Sequence, residues 1–116
     1  MKLDMELVRR ILFAVEDCPN RTGLFEVVIE DVERDVTDYH VDYCVQKGLL
    51  TGSPLRISDR WTHVSLNLSP DGHDFVEKAR NDTTWGKAKA IIKEKGLPLT
   101  IEVFKSVLTS VIKSIM

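Results

Sequence analysis

Three groups of side chains in this chain have the types and spacing to suggest chemistry. His40 and Cys44 stand four residues apart. On a helix that spacing puts an imidazole and a thiol on one face, half of a transition-metal site. Two more ligands would have to come from Cys18, His63, His73 or distant carboxylates, so no metal site is expected. The two cysteines form no C-x-x-C pair and no disulfide framework, and are expected as small buried hydrophobes. His73 and Asp74 are adjacent, but successive helical residues point apart and cannot form a His–Asp relay. Neither cysteine has a nucleophile context and no glycine loop is built for phosphate. No catalytic residue and no cofactor are therefore expected, and the chain reads as a non-enzyme.

The third group lies in "VTDYHVDYCVQKGLL", Val36 to Leu50. With Val41, Cys44 and Val45 turned inward, Asp35, Asp38, Tyr39, Asp42 and Gln46 share the outward face at spacings of three and four. From Glu26 to Asp42 there are seven acids and one arginine, a net of 1 − 7 = −6. DNA affinity rests mainly on Lys and Arg neutralising phosphates. A carboxylate can accept from cytosine, but needs basic neighbours to bring it into the groove. The shape is that of a DNA recognition helix, whereas the charge suits a basic protein surface, with tyrosine beside an acidic rim. A solvated face accounts for any one of these acids; their concentration beside Tyr39 and Tyr43 favours a partner. The counter-argument for DNA is Arg56, Arg60 and His63 around Trp61. The last 36 residues add six lysines against three acids, a net of +3. The commonplace account of those lysines is a wet helix surface.

These groups must be held by a small scaffold. The chain has 116 residues, 43% hydrophobic and 29% charged, with net charge −2. That suits one soluble domain and excludes a strongly basic nucleic-acid binder. "MKLDMELVRR" has no apolar signal-peptide core, and the longest apolar run, Ile11 to Val15, is far too short to cross a bilayer. A cytoplasmic protein with no membrane partner is expected.

Asp4 caps a first helix with Val8, Ile11, Leu12 and Val15 on its inner side, ended by "CPNRTG". "LFEVVIE", Leu24 to Glu30, predicts a short strand. A helix over 36–47 follows, capped by Asp35 or Thr37 and closed by Gly48, with Leu49 folding back. "PLRIS" and "HVSLNLS" alternate around "DRWT" and predict an antiparallel hairpin, with Trp61 exposed at or near its tip. Leu55 and Ile57 share one side of the first strand, and Val64, Leu66 and Leu68 one side of the second. Ser69 and Pro70 open another helix, burying Phe75, Val76 and Ala79. Asp82 caps a helix to Lys95 with Trp85, Ala88, Ile91 and Ile92 inward, and Gly96 closes it. Thr100 caps the last.

The order resembles a winged helix. "MKLDMELVRRIL", "YHVDYCVQKGLL" and "LSPDGHDFVEKARNDTTW" are similar to a family of small bacterial and prophage proteins classed as a domain of unknown function. The resemblance spans nearly the whole chain and is most specific at Gly72 to Trp85. It implies a winged-helix fold and a regulatory setting, and supplies no activity or catalytic residue. One departure is plain: the helix that normally crosses the DNA backbone has room for about one turn between the strand and residue 36. The expected fold is α+β: a winged-helix-like core over residues 1–80 (helix, strand, helix, hairpin wing, helix) and a two-helix extension over 81–116 packed on the same domain. The expected function is a regulator or adaptor acting through protein contacts, with a DNA-binding regulator as the alternative. The last helix is apolar over about half its circumference, which predicts a homodimer through residues 100–116. Phe104, Val107, Leu108, Val111 and Ile115 would form its seam.

Overall fold

A computed structural model describes residues 1–18 and 26–115. Its elements are α1 (Met5–Glu16), α2 (Arg34–Gln46), β1 (Leu50–Ile57), β2 (Arg60–Leu68), α3 (Pro70–Ala79), α4 (Asp82–Lys95) and α5 (Ile101–Ser114). The fold is α+β. Two compact units divide the chain, Met1–His73 and Asp74–Met116, with the boundary inside α3.

In the first unit the Asp4 carboxylate accepts from the Glu6 and Leu7 amides and starts α1. Val8, Ile11, Leu12 and Val15 are buried along one stripe, with Met5 and Leu7 beside them. That stripe packs on α2 and β2. Pro19 to Gly23, expected to end this helix, lie outside the described residues, as do Leu24 and Phe25 of the expected strand. Residues 26–29 bury Val27 and Ile29 and expose Val28, but carry no strand ladder. Alternation is therefore present without the pairing that the strand reading required.

Helix α2 begins at Arg34, two residues before the expected start. Its N-cap is Glu33, and no side chain caps it. Asp35 instead accepts from its neighbour Val36, and the Thr37 hydroxyl donates to the Glu33 carbonyl. The inward stripe is Thr37, His40, Val41 and Cys44. His40 takes the place assigned to Val45, which is only half-buried. At the far end, Gly48 has φ 75°. Its N–H reaches the Val45 carbonyl and the Leu49 N–H the Cys44 carbonyl. This paired closure turns the chain directly into β1.

The hairpin turn is tighter than expected. Ile57 pairs with Arg60, leaving only Ser58 and Asp59 as the turn, with Ser58 at φ 56°. Arg60, Trp61 and Thr62 belong to β2, with Trp61 opposite Arg56. Thr62, Val64, Leu66 and Leu68 form the buried side of β2. A bulge at Ser65, φ 56°, puts two β2 residues opposite Gly52. On β1 only Leu50 is buried. Of the two residues expected inward, Leu55 is half-buried and Ile57 exposed, and both lie toward the turn end of the strand, opposite Thr62 and Arg60.

Ser69 joins the hairpin to α3. Its hydroxyl accepts from the Gly72 amide and donates to the Gly48 carbonyl, while its N–H bonds the Leu49 carbonyl.

The second unit contains the rest of α3 with α4 and α5. Asn81, not Asp82, caps α4, accepting from the Thr84 amide. Gly96 closes it at φ 64°. Thr100 caps α5 through the Val103 amide, as its sequence predicts. Trp85 stacks on Phe104 at 4.7 Å between centroids and meets Phe75 edge-on at 6.3 Å. Ala88, Ile92, Ile101, Leu108 and Val111 are also buried. Ile91 is half-buried. Among the described residues no helix is long and apolar enough to cross a membrane.

Candidate functional site

Two surfaces that the sequence analysis treated as rivals meet in one groove. Asp35, Asp38, Tyr39 and Asp42 from α2, and Pro54, Arg60, Trp61, Thr62 and His63 from the hairpin, line a cavity of about 600 Å³, with Met1 at its edge. The residues arrive there for simple reasons. Burying Thr37, His40, Val41 and Cys44 turns the opposite stripe of α2 toward the hairpin and solvent. Burying Thr62 and Val64 turns Trp61 and His63 to the other side of β2.

The ion pairs reassign the charges. Asp38 is not on a solvated face: its side chain is only 11% exposed. It accepts from Arg60 Nη1 at 2.9 and 3.2 Å and from the Thr62 hydroxyl at 2.8 Å. Arg60 Nη2 lies 2.7 Å from Glu26 Oε1, an oxygen that also lies 3.2 Å from Arg34 Nη1. The Glu26 and Asp38 carboxylates hold the Arg60 guanidinium above its ordinary pKa, so it is a permanent cation with its fork already occupied. His63 Nε2 is 3.9 Å from Asp42 Oδ1, and its Nδ1 is buried without a hydrogen-bond partner among the described residues. Asp42 also accepts from Gln46. Arg56 stays exposed, its Nε donating to the Ser58 carbonyl.

Two large rings remain in solvent at this site, Trp61 at 63% exposure and Tyr39 at 42%. Trp61 is exposed one pair from the turn, as its sequence position predicts. Asp35, Tyr39, Asp42 and Gln46 keep some or all of their exposure, while Asp38 has become part of the scaffold. The sequence analysis missed Glu26, which sat in the supposed strand, and Thr62, which sat in the supposed loop. Both are polar residues whose partner lies on another element, and local periodicity carries no signal for that.

The remaining candidates lie elsewhere. His40 is buried with both ring nitrogens engaged. Nε2 accepts from the Asp4 amide at 2.9 Å, which fixes the proton on Nδ1, donating to the Val36 carbonyl at 2.8 Å. Cys44 is buried in the core, whereas Cys18 is only half-buried, a correction to the expectation for both thiols. His73 is exposed. Of the expected seam in α5, Phe104, Leu108 and Val111 are buried within the single chain. Val107 is half-buried and Ile115 is 60% exposed. Among the described residues no group of three or more His, Cys, Asp or Glu side chains is placed to hold a metal ion.

Burial pushes the Cys44 thiol up to about 12. The reactive species is the thiolate, so Cys44 is inert near neutral pH. A disulfide reagent at pH 7.5 is expected to modify Cys18 alone in the folded protein and both thiols in denaturant. The shift also fixes a direction for stability. A thiol whose folded value lies above the ordinary 9 contributes stability that is complete below 9 and is lost as pH rises toward 12. Two equally fast thiols in the folded protein would contradict this placement.

Comparison with known proteins comes to the same unlabelled family that the sequence resembles. The model of a family described as "Hypothetical protein (DUF2513)" matches residues 2–98. The chain is similar to an "Uncharacterized protein" of Haemophilus influenzae, at 26% identity over 117 residues, covering 100% of this chain and 99% of that protein. No solved structure matches.

Proposed function

This chain belongs to the DUF2513 family, and we propose that it is a non-catalytic adaptor or regulator that meets the basic surface of a protein partner through the α2–β2 groove. The observation that carries this reading is the engagement of Arg60. It is the arginine of the hairpin that lines the groove, and both arms of its fork are taken by Glu26 and Asp38 of its own chain. A phosphate would have to displace two carboxylates and then sit beside Asp35 and Asp42, which repel it. The order α1, α2, hairpin, α3 supports reading the first unit as a winged helix. Its backbone-crossing helix has no counterpart in residues 26–33. A winged helix without that element in residues 26–33 and with an acidic recognition face is suited to protein contact. The reading keeps the expected cytoplasmic location, and adds the prophage-type regulatory setting that the family resemblance implies. It also includes a homodimer through residues 100–116, for which Val107 and Ile115 of the predicted seam stay accessible on α5.

The second reading, a DNA-binding regulator, is favoured by exposed Arg56 and by Lys87, Lys93 and Lys95, which are exposed on α4. A titration with random duplex DNA separates the two. Nonspecific DNA binders titrate at roughly 10⁻⁴–10⁻⁶ M at physiological salt, with affinity falling steeply as salt rises. The wild-type protein is expected to show no such binding even at low salt. Asp38→Asn with Asp42→Asn removes two repulsive charges and leaves Arg60 with Glu26 as its one carboxylate partner, and is expected to create weak, salt-sensitive binding while weakening any complex with a basic protein. Micromolar, salt-dependent DNA binding by the unaltered protein would replace the adaptor reading with the second one.

A further inference from the structure

We infer that the α2–β2 groove receives an arginine side chain from an extended segment of the partner protein. This rests on the adaptor reading above and names the chemistry its surface recognises. The groove combines features that point to one kind of occupant. Trp61 and Tyr39 are large aromatic side chains left exposed, of the kind that interfaces use as anchors. The side chains lining the cavity include three carboxylates against one guanidinium, and that guanidinium is committed to Asp38 and Glu26. Asp35 and Asp42 are left to face an incoming group, and the Asp42 side chain is 48% exposed.

An occupant of this site must be cationic, to match Asp35 and Asp42, and flat enough to lie on an indole or phenol ring. Guanidinium meets both needs, since it stacks on aromatic faces and pairs with carboxylates through its fork. Lysine offers a compact, strongly hydrated charge and matches only the first. The neighbouring pair shows the carboxylate half of this chemistry inside the molecule: Arg60 Nη1 lies within hydrogen-bond distance of both oxygens of Asp38. A cavity of about 600 Å³ holds more than one side chain, so the arginine arrives on a short stretch of backbone.

The test uses the whole protein, labelled with nitrogen-15, and follows the Trp61 indole N–H resonance. The Trp85 indole, buried in the other unit, serves as the reference. The probes are capped glycine/serine nonapeptides carrying two arginines, two lysines or two glutamines. The arginine peptide is expected to shift the Trp61 signal saturably. The lysine peptide should bind at least fivefold more weakly, and the glutamine peptide not at all. Asp42→Asn should weaken the arginine peptide at least tenfold. Trp61→Ala, followed through the Gln46 side-chain amide and checked for an unchanged melting midpoint, should do the same. Equal binding of arginine and lysine peptides, both weakened by Asp42→Asn, would overturn the guanidinium claim and leave the adaptor reading standing. Arginine binding that neither substitution weakens would place the site elsewhere. No peptide binding, together with duplex DNA binding by the same sample, would overturn both.

Discussion

Replacing Gly72 with alanine is expected to unfold the first unit. A Cβ at this position would lie 2.0 Å from the Leu49 carbonyl oxygen, 3.0 Å from its carbon and 3.3 Å from Leu68 Cδ2. The obstacle is backbone and cannot swing aside. The Leu49 carbonyl is fixed, because it accepts from the Ser69 amide where the hairpin enters α3. Gly72 is fixed in turn, because its amide donates to the Ser69 hydroxyl. Relief would require the start of α3 to back away from the α2–β1 corner, breaking the Ser69 bonds to the Leu49 and Gly48 carbonyls. Overpacking a rigid site costs about 1–3 kcal/mol, and a clash with backbone belongs at or above the top of that range. Since small domains hold only about 5–15 kcal/mol in total, urea denaturation should show a large fall in midpoint or no folded baseline. Gly86→Ala is the control. An added Cβ there has nothing within 4 Å, so a helical alanine should stabilise by up to about 1 kcal/mol. A Gly72→Ala protein with a wild-type midpoint would mean that α3 does not approach Leu49 this closely.

The different outcomes for Gly72 and Gly86 show which parts of the fold local sequence can reveal. Both glycines occupy a helix, and nothing in their immediate neighbours distinguishes them. Gly48 and Gly96 were legible, because a left-handed closure is a local demand written next to the last helical turn. The buried stripe of α1, the Thr100 cap and the existence of the hairpin were legible for the same reason. Contacts between distant elements were not. The segment 26–29 alternates like a strand, but strand identity needs a ladder partner, and alternation cannot supply one. The two-residue turn was misplaced because "DRWT" looks like a loop by composition, while pairing of Ile57 with Arg60 decides the register.

The site followed the same division. Helical spacing put Asp35, Tyr39 and Asp42 on one stripe, and all three line the groove, whereas Gln46 is not among its lining residues. It could not show that Asp38, on the same stripe, would be claimed by Arg60 and Thr62 from 22 and 24 residues away. A charge count over residues 26–42 treats every acid alike. The structure separates the carboxylates that hold the hairpin against α2, such as Asp38, from those left exposed, such as Asp35 and Asp42. That separation turns two competing surfaces into one groove, with the scaffold charges at its base and the aromatic rings exposed.

His40 is expected to be the second most sensitive position, and it links the core to that groove. Its ring is 1% exposed and joins two helices: Nδ1–H binds the Val36 carbonyl within α2, and Nε2 takes the amide of Asp4, the N-cap of α1. No charge or metal is needed for this role; a neutral imidazole offers one donor and one acceptor in opposite directions. His40→Ala removes the packing and both bonds, and should cost about 3 kcal/mol. His40→Phe keeps an aromatic ring of similar size and loses only the polar contacts, so it should cost roughly 1–2 kcal/mol. Amide hydrogen exchange provides the more direct reading. In both variants the amides at the start of α1, Asp4 first, should exchange faster than in the parent, while those of α5 should be unchanged. Met1, three residues before Asp4, lies at the edge of the groove. A loosened α1 start should therefore weaken capture of the arginine peptide even though His40 does not line the cavity. If His40→Phe matches the parent in midpoint and in exchange at Asp4, the bond to Nε2 contributes nothing, and the imidazole serves only to fill space.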